Sequence, residues 1–430
     1  MSEYLCDTLD NGLRVVSAPM PHHHSAEILL CIGVGSRYES TRLGGISHFL
    51  EHMLFKGTSD YPTGLALERA FEAVGGSANA ATDSETTCFH SRVHPKHIDE
   101  GMALFASMLQ RPLFNDLEME RRVILEEALG DLNESGRQIN SDNIVAGLLF
   151  PKHALGRPTV GSHPSIERLT EQQLRRHHAS YYTPSNAILS VAGPVEHQQI
   201  VRAANACFAD WDGPVAPTPK AWSANSDETS SLRWVRDAGS QVSLQLAFLL
   251  PGRDSENAVN LRVLRRLLGW GGMSRLMWRL REELGLTYAV DASLALYADA
   301  GVLAIDLAVS VENLVAASEA ILQLIGELHD DPVEDNELDH VLNCYRCDLD
   351  YSRDQVDEMA LRYAWGELTG NRRTIADDLA GIETVTAAGL RRTANELLTP
   401  ANLRGAVVGP YRTRDRKAVE ALVADWQPLS

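Results

Sequence analysis

A chain that runs through one order of strands and helices twice has few ways to fold, and this one does so on either side of a single break. Between Asp210 and Ser231 the composition changes: Pro214, Pro217, Pro219, Ser223, Ser226, Ser230 and Ser231 stand among few apolar residues, as in an exposed connector. Before it, Leu13 to Met20 and Ala26 to Val34 read as strands after an Asp10-Asn11-Gly12 turn, and a helix from Leu65 to Val74 stops at Gly75-Gly76. Two strands around a turn follow from Ser77 to Val93, then helices over Pro95 to Leu109, Asp116 to Asn133 and Asp142 to Phe150. After a Pro- and Gly-rich loop, a helix (Glu171 to Tyr181), a strand (Asn186 to Val191) and a helix (Glu196 to Phe208) close the half. The second half repeats the order. It has a strand (Ser243 to Leu250), helices (Asn257 to Leu268 and Met273 to Glu283) and two strands (Tyr288 to Leu294, Val302 to Ala308). Long helices to about Leu398 and a last strand (Arg404 to Val408) complete it. Two similar α+β domains, 1–210 and 232–430 joined by a linker at 211–231, are the most economical description. No residue-level repeat proves duplication.

At 430 residues the chain can bury a sizeable core in about two to four domains. Its 58 acidic and 39 basic residues, net -19, make nucleic acid an unfavourable partner. No apolar run reaches transmembrane length, and the start, Met1-Ser2-Glu3-Tyr4-Leu5, has neither a basic region nor a hydrophobic stretch. The expectation is a soluble, cytoplasmic protein with no membrane partner. Six scattered cysteines (Cys6, Cys31, Cys88, Cys207, Cys344, Cys347) argue against a disulfide framework. Cys344 and Cys347 form a C-x-x-C within a helical pattern, with no second such pair to complete a zinc site, and read as free thiols. His22, His23 and His24 have no carboxylate or thiol at ligand spacing and read as an exposed loop.

The chemistry concentrates in Gly44-Gly45-Ile46-Ser47-His48-Phe49-Leu50-Glu51-His52-Met53-Leu54-Phe55-Lys56-Gly57-Thr58. Ile46, Phe49, Leu50, Met53 and Leu54 recur at helical spacing, so His48, Glu51 and His52 share one arc of a helix. Two imidazoles one turn apart can share a metal ion, and the carboxylate beside them can take a proton from an activated water. This is H-x-x-E-H, the inverted zinc-peptidase order. A catalytic zinc site wants a third protein ligand. The acidic helix after Asp116 offers Glu118, Glu120, Glu126 and Glu127. Glu120 and Glu127 lie two turns apart on one face, and Glu126 points about 100° away from it.

The segment Gly44 to Thr58, the Asn79-Ala80 strand and Val123-Ile124-Leu125-Glu126-Glu127 together resemble the pitrilysin/insulinase family of inverzincin peptidases, in its single-unit, processing-peptidase-like branch. Leu155-Gly156-Arg157-Pro158-Thr159-Val160-Gly161 also matches a family pattern, and the resemblance covers nearly the whole chain. It implies two α/β-sandwich domains of mostly antiparallel sheet, clam-shell-like, the first binding zinc and the second positioning substrate. It further implies one Zn2+ per chain on His48, His52 and Glu127, about seventy-five residues past the second histidine, with Glu120 supporting a ligand. Glu51 acts as general base. Asn79, Ala80 and Ala81 match an edge strand that pairs with the substrate backbone.

In the second half, Gly269-Trp270-Gly271-Gly272 leads toward Arg281 and, seven residues on, Tyr288, which match a family pair that reaches the bound peptide. The glycine run is not a phosphate loop, lacking the lysine and hydroxyl pair. Arginine can fork onto a carbonyl, and a tyrosine hydroxyl can stabilise an oxyanion. Both residue sets on one chain imply a self-sufficient endopeptidase for peptides or unfolded segments, a homodimer enclosing a chamber, in which hydrolysis needs both halves. The alternatives are a non-catalytic scaffold subunit or a processing subunit with a heteromeric partner.

Overall fold

The computed structural model describes residues 2–223 and 231–427. The chain forms two compact units, each built on one sheet. The first sheet contains β1 (Leu5–Thr8), β2 (Arg14–Pro19), β3 (Ala26–Ile32), β4 (Asn79–Thr82), β5 (Thr87–Val93) and β6 (Ala187–Gly193), in the order β1-β2-β6-β3-β5-β4. The second contains β7 (Ser231–Val235), β8 (Val242–Leu250), β9 (Val290–Leu296), β10 (Gly301–Val309) and β11 (Leu403–Val408), in the order β7-β11-β8-β10-β9. Pairing is antiparallel except between β2 and β6 and between β7 and β11. With β1 set aside, the two orders correspond strand for strand, including the position of the parallel pair. The fold is α+β with two similar domains, in keeping with the repeated element order.

Buried residues explain the layering. Along β3, Ala26, Ile28, Leu30 and Ile32 join a core shared with α1 (Ile46–Leu54), α2 (Gly64–Ala73) and α3 (Ile98–Gln110). Strands β3 and β6 are buried along their whole length, so both of their faces need a cover. The second cover comes from far along the chain, because the helix Val356–Thr369 packs on β6, β3 and β2. Its counterpart is α5 (Ser141–Leu149), which packs on β11 and β8 in the other unit. The units are therefore interleaved rather than consecutive. One comprises 1–130, 157–220 and 349–376, and the other 131–156, 221–348 and 377–430. The contiguous division at 1–210 and 232–430 does not anticipate this, since periodicity shows that a helix has an apolar face but not whose face it covers. Within the expected linker 211–231, residues 224–230 lie outside the described residues.

Three further differences follow from tertiary placement. The scattered cysteines argue against a disulfide framework, but Cys31 and Cys88 stand directly opposite each other on β3 and β5 and are joined as a disulfide. Cys6, Cys207, Cys344 and Cys347 are free. Strands β1 and β7 are short and lack a clear apolar alternation, and both escape sequence reading. The expected helix over Met273 to Glu283 is π-helical across Met277–Glu283, a wide turn that side-chain periodicity does not reveal.

Candidate metal centre

The centre lies in the first unit and begins at the N-terminus of α1. Gly45 takes a left-handed φ of 88°, and a Cβ there would sit 2.3 Å from the Val160 carbonyl oxygen, so the entry to the helix demands glycine. The first amides of α1 are satisfied by a buried carboxylate. Gly45 N–H donates to Glu39 Oε2 at 2.7 Å and Ser47 N–H to Glu39 Oε1 at 2.8 Å. Arg157 in turn donates to the Glu39 carbonyl. Ser47 Oγ lies 3.1 Å from His177 Nε2, which fixes the same turn from another side.

One face of α1 carries His48, Glu51 and His52, and α4 (Leu117–Leu129) faces it. The His48 and His52 Nε2 atoms are 3.2 Å apart, Glu127 Oε1 is 3.5 Å from His48 Nε2, and Glu127 Oε2 is 3.7 Å from His52 Nε2. Among the described residues this is the one group of three or more His, Cys, Asp or Glu side chains whose ligand atoms converge, all within 4.8 Å. A tetrahedral zinc with bonds of about 2.0–2.1 Å holds its ligand atoms about 3.3–3.4 Å apart, and the spacings of 3.2 to 3.7 Å here bracket that separation. The donor set also suits zinc, with two imidazole nitrogens aimed at one point and a carboxylate beside them. Glu126 is exposed and outside the group.

Glu120 supports His52 from behind. Its Oε1 accepts from His52 Nδ1 at 2.8 Å, which leaves Nε2 with its lone pair toward the centre, and Lys56 holds the other oxygen. Burial works to raise the Glu120 carboxyl, but the bonds from His52 and Lys56 outweigh it and hold it below its ordinary range. For His52, burial works downward, and the bond to Glu120 with the charges of Glu51, Glu120 and Glu127 reverses it, so the net shift is upward. His48 is different. Burial, aided by His52, pushes it down to about 4, so its ring is neutral at pH 7.

Glu51 is not in the converging group. Its Oε2 accepts from the Thr82 hydroxyl at 2.6 Å, and burial raises its carboxyl above the ordinary value against the pull of Thr82 and His52. Thr82 ends β4, the outer strand of the first sheet, which also carries Asn79, Ala80 and Ala81. β4 pairs with β5 along one edge, and its other edge has no strand partner among the described residues. Sequence reading stopped one residue short of Thr82, although strand alternation puts it on the face of Ala80. Glu39 has no local signal in Arg37-Tyr38-Glu39 that would single it out.

Arg281 and Tyr288 belong to the second unit, where the guanidinium lies 4.9 Å from the centre of the tyrosine ring. Tyr288 is 81% exposed. His23 Nε2 approaches the Asp354 carbonyl at 3.2 Å, and the His22–His24 loop takes no part in the converging group.

Comparison with known proteins gives the family. Residues 14–162 match the family model "Insulinase (Peptidase family M16)", and residues 168–344 match "Peptidase M16 inactive domain". An uncharacterized zinc protease of Mycobacterium tuberculosis is 33% identical over 416 residues, covering 95% of this chain and 93% of that protein. The chain belongs to the M16 peptidase family. His48, Glu51, His52 and Glu127 fall in the segment matched by the first M16 model, and the segment matched by the second contains none of them. Two solved structures share the fold. A protease from Helicobacter pylori superposes with a TM-score of 0.87 at 23% identity, covering 95% of this chain and 100% of its own. A peptidase M16 inactive domain from Pseudomonas fluorescens gives 0.84 at 19%, covering 96% and 99%. No helix among the described residues is long and apolar enough to cross a membrane.

Proposed function

We propose that this M16 chain is a zinc endopeptidase that cleaves peptides or unfolded segments. One observation carries the reading: the ligand atoms of His48, His52 and Glu127 converge beside a partly buried carboxylate, Glu51, that is not needed as a ligand. Zinc, when held there, supplies a Lewis acid that makes water a nucleophile near neutral pH and polarises the scissile carbonyl. Glu51 accepts the proton of the attacking water and delivers it to the leaving amine; a carboxyl raised by burial suits both duties. Glu120 holds the His52 ring in the tautomer that presents Nε2. The free edge of β4 receives the substrate backbone as an added strand through Asn79, Ala80 and Ala81. Arg281 and Tyr288 grip the bound peptide and stabilise the oxyanion, a role that rests on the family resemblance.

The experiment is a zinc assay of the purified chain together with cleavage of an unbiased unfolded-peptide mixture. One zinc per chain, cleavage by the wild type and none by Glu51→Gln are expected. Stoichiometric zinc without any cleavage would sink the self-sufficient peptidase. Replacing Arg281 with Ala or Tyr288 with Phe is expected to lower turnover, and unchanged rates would remove them from the mechanism. A second reading, a non-catalytic M16 subunit, is favoured by the "inactive domain" model over 168–344. The convergent donors in 14–162 weigh against it. A homodimer is the assembly proposed, and a monomeric mass in solution would reject it. A cytoplasmic location stands against the Cys31–Cys88 disulfide, because such bonds persist in oxidising compartments, and cell fractionation decides between them.

A further inference from the structure

The first unit contains a cavity of about 780 Å³ on the face of its sheet opposite α1. It starts at Ala81 on the edge strand, crosses Cys88 and His90 of β5 and Leu29 of β3, and runs beneath Leu361 and Trp365 of the helix Val356–Thr369. Its size is that of a ligand pocket, and none of the proposed catalytic residues lines it.

Strand geometry ties this space to the β4 edge. Side chains alternate between faces, and residues paired directly across a ladder share one. Thr82 points to the α1 face, where it meets Glu51, and Ala80 packs into the core on that same side. Asn79 and Ala81 therefore point to the cavity face, in register with His90 and Cys88. A peptide added to the free edge of β4 continues both rows. Its residues opposite Asn79 and Ala81 project onto the cavity face, and those between them project toward α1. Ala81 presents only a methyl group, which leaves the mouth of the cavity open to a side chain coming from beyond the edge.

The lining decides which side chain. Most of its charged groups already have partners: Arg362 donates to the Thr374 carbonyl at 3.2 Å and Arg373 to the Asn371 side chain at 2.8 Å, while Glu358 is exposed. Glu27 accepts from His90 at 2.8 Å and lies 3.7 Å from Arg92, which also pairs with Asp357 at 3.3 Å. Asp83 accepts from the amides of Glu85 and Thr86 and from the Thr86 hydroxyl. Apart from the exposed Glu358, an incoming ammonium or carboxylate would have to displace one of these partners. What the walls offer instead is apolar surface: Leu29, Ala81, the disulfide at Cys88, Leu361 and the Trp365 ring.

The geometry points to a specificity pocket for large apolar side chains, aromatic above all, at two substrate positions separated by one residue. Residues i and i+2 of a strand stand about 6.6–6.8 Å apart, so both can enter one cavity of this size. The inference rests on strand addition at β4, as in the proposed function, but it concerns binding and can be read without turnover.

The test uses zinc-loaded Glu51→Gln protein and a set of alanine- and serine-based peptides in which a single Phe, Lys or Glu is walked along the sequence. Affinity is measured by fluorescence anisotropy. Phe should improve binding by about tenfold or more at two positions, n and n+2. Lys and Glu should bring no gain there. Leu361→Glu, a change at a half-exposed surface position, should abolish the gain at n and n+2. Equal affinity for Ala and Phe peptides, a preference for Lys or Glu, or a gain that survives Leu361→Glu would each overturn the assignment. If the alternating preference is found but wild-type protein cleaves nothing, the pocket stands and the peptidase reading falls. If peptides are cleaved without that preference, the reverse holds.

Discussion

The two nitrogens of His52 have separate duties, and Glu120 keeps them apart. With Nδ1–H donated to Glu120 Oε1 at 2.8 Å, Nε2 has no proton and is free for the metal. Glu120→Ala is therefore expected to weaken zinc binding by about 10–100-fold, measured by competition with a chelating dye, while the fold persists. The second oxygen of the base has a similar guardian. Thr82 Oγ1 donates to Glu51 Oε2 at 2.6 Å, while the neighbouring Thr87 hydroxyl is spent on the Val34 carbonyl. A bond to a charged acceptor contributes about 1.5–3 kcal/mol, so Thr82→Val should lower kcat by about tenfold or more with zinc content unchanged. Thr82→Ser should restore most of it. If Thr82→Val turns over normally, the hydroxyl does not orient the base.

At the scale of the element, α1 depends on a carboxylate outside itself. Glu39 caps the first amides and is nearly fully buried, and that burial pushes it up to about 7 against the pull of the Ser47 and Gly45 amides. A carboxyl raised in the folded state binds its proton more tightly there than in the unfolded chain. The associated stability is complete below about pH 4.5 and is lost as pH rises through about 7. The effect is on the order of 2–4 kcal/mol. Glu39→Gln cannot titrate and retains one acceptor for the two amides. Thermal melts between pH 5 and 8 should show a shallower decline for this variant than for the wild type, and parallel curves would remove Glu39 from the pH response. Elements also mark how far sequence reading reaches. His48, Glu51 and His52 were legible because one helical turn contains them. Glu127 needed the family resemblance, since four carboxylates in α4 competed and only the facing of α4 and α1 separates Glu127 from Glu126. Thr82 was missed because its partner comes from a helix thirty-one residues back. The Cys31–Cys88 bond was missed because it depends on the register of two strands, which composition does not encode.

At the scale of the molecule, the repeated order of strands was visible and the interleaving of the units was not. The connector at 211–223 joins chain that already passes between units at 130/131, 156/157, 348/349 and 376/377. Limited proteolysis within 214–223 is expected to give two fragments that separate in denaturant but elute together from a native sizing column. Elution as two independent species would contradict the interleaved arrangement. The exchange of α5 and the helix Val356–Thr369 reaches further than proteolysis. Neither half of the gene encodes a finished domain: 1–220 made alone leaves β3 and β6 bare on one face, and 221–430 made alone leaves β8 and β11 so. Each product should be insoluble by itself, and co-expression of the two should rescue both, making the halves obligate complements in a split-protein system.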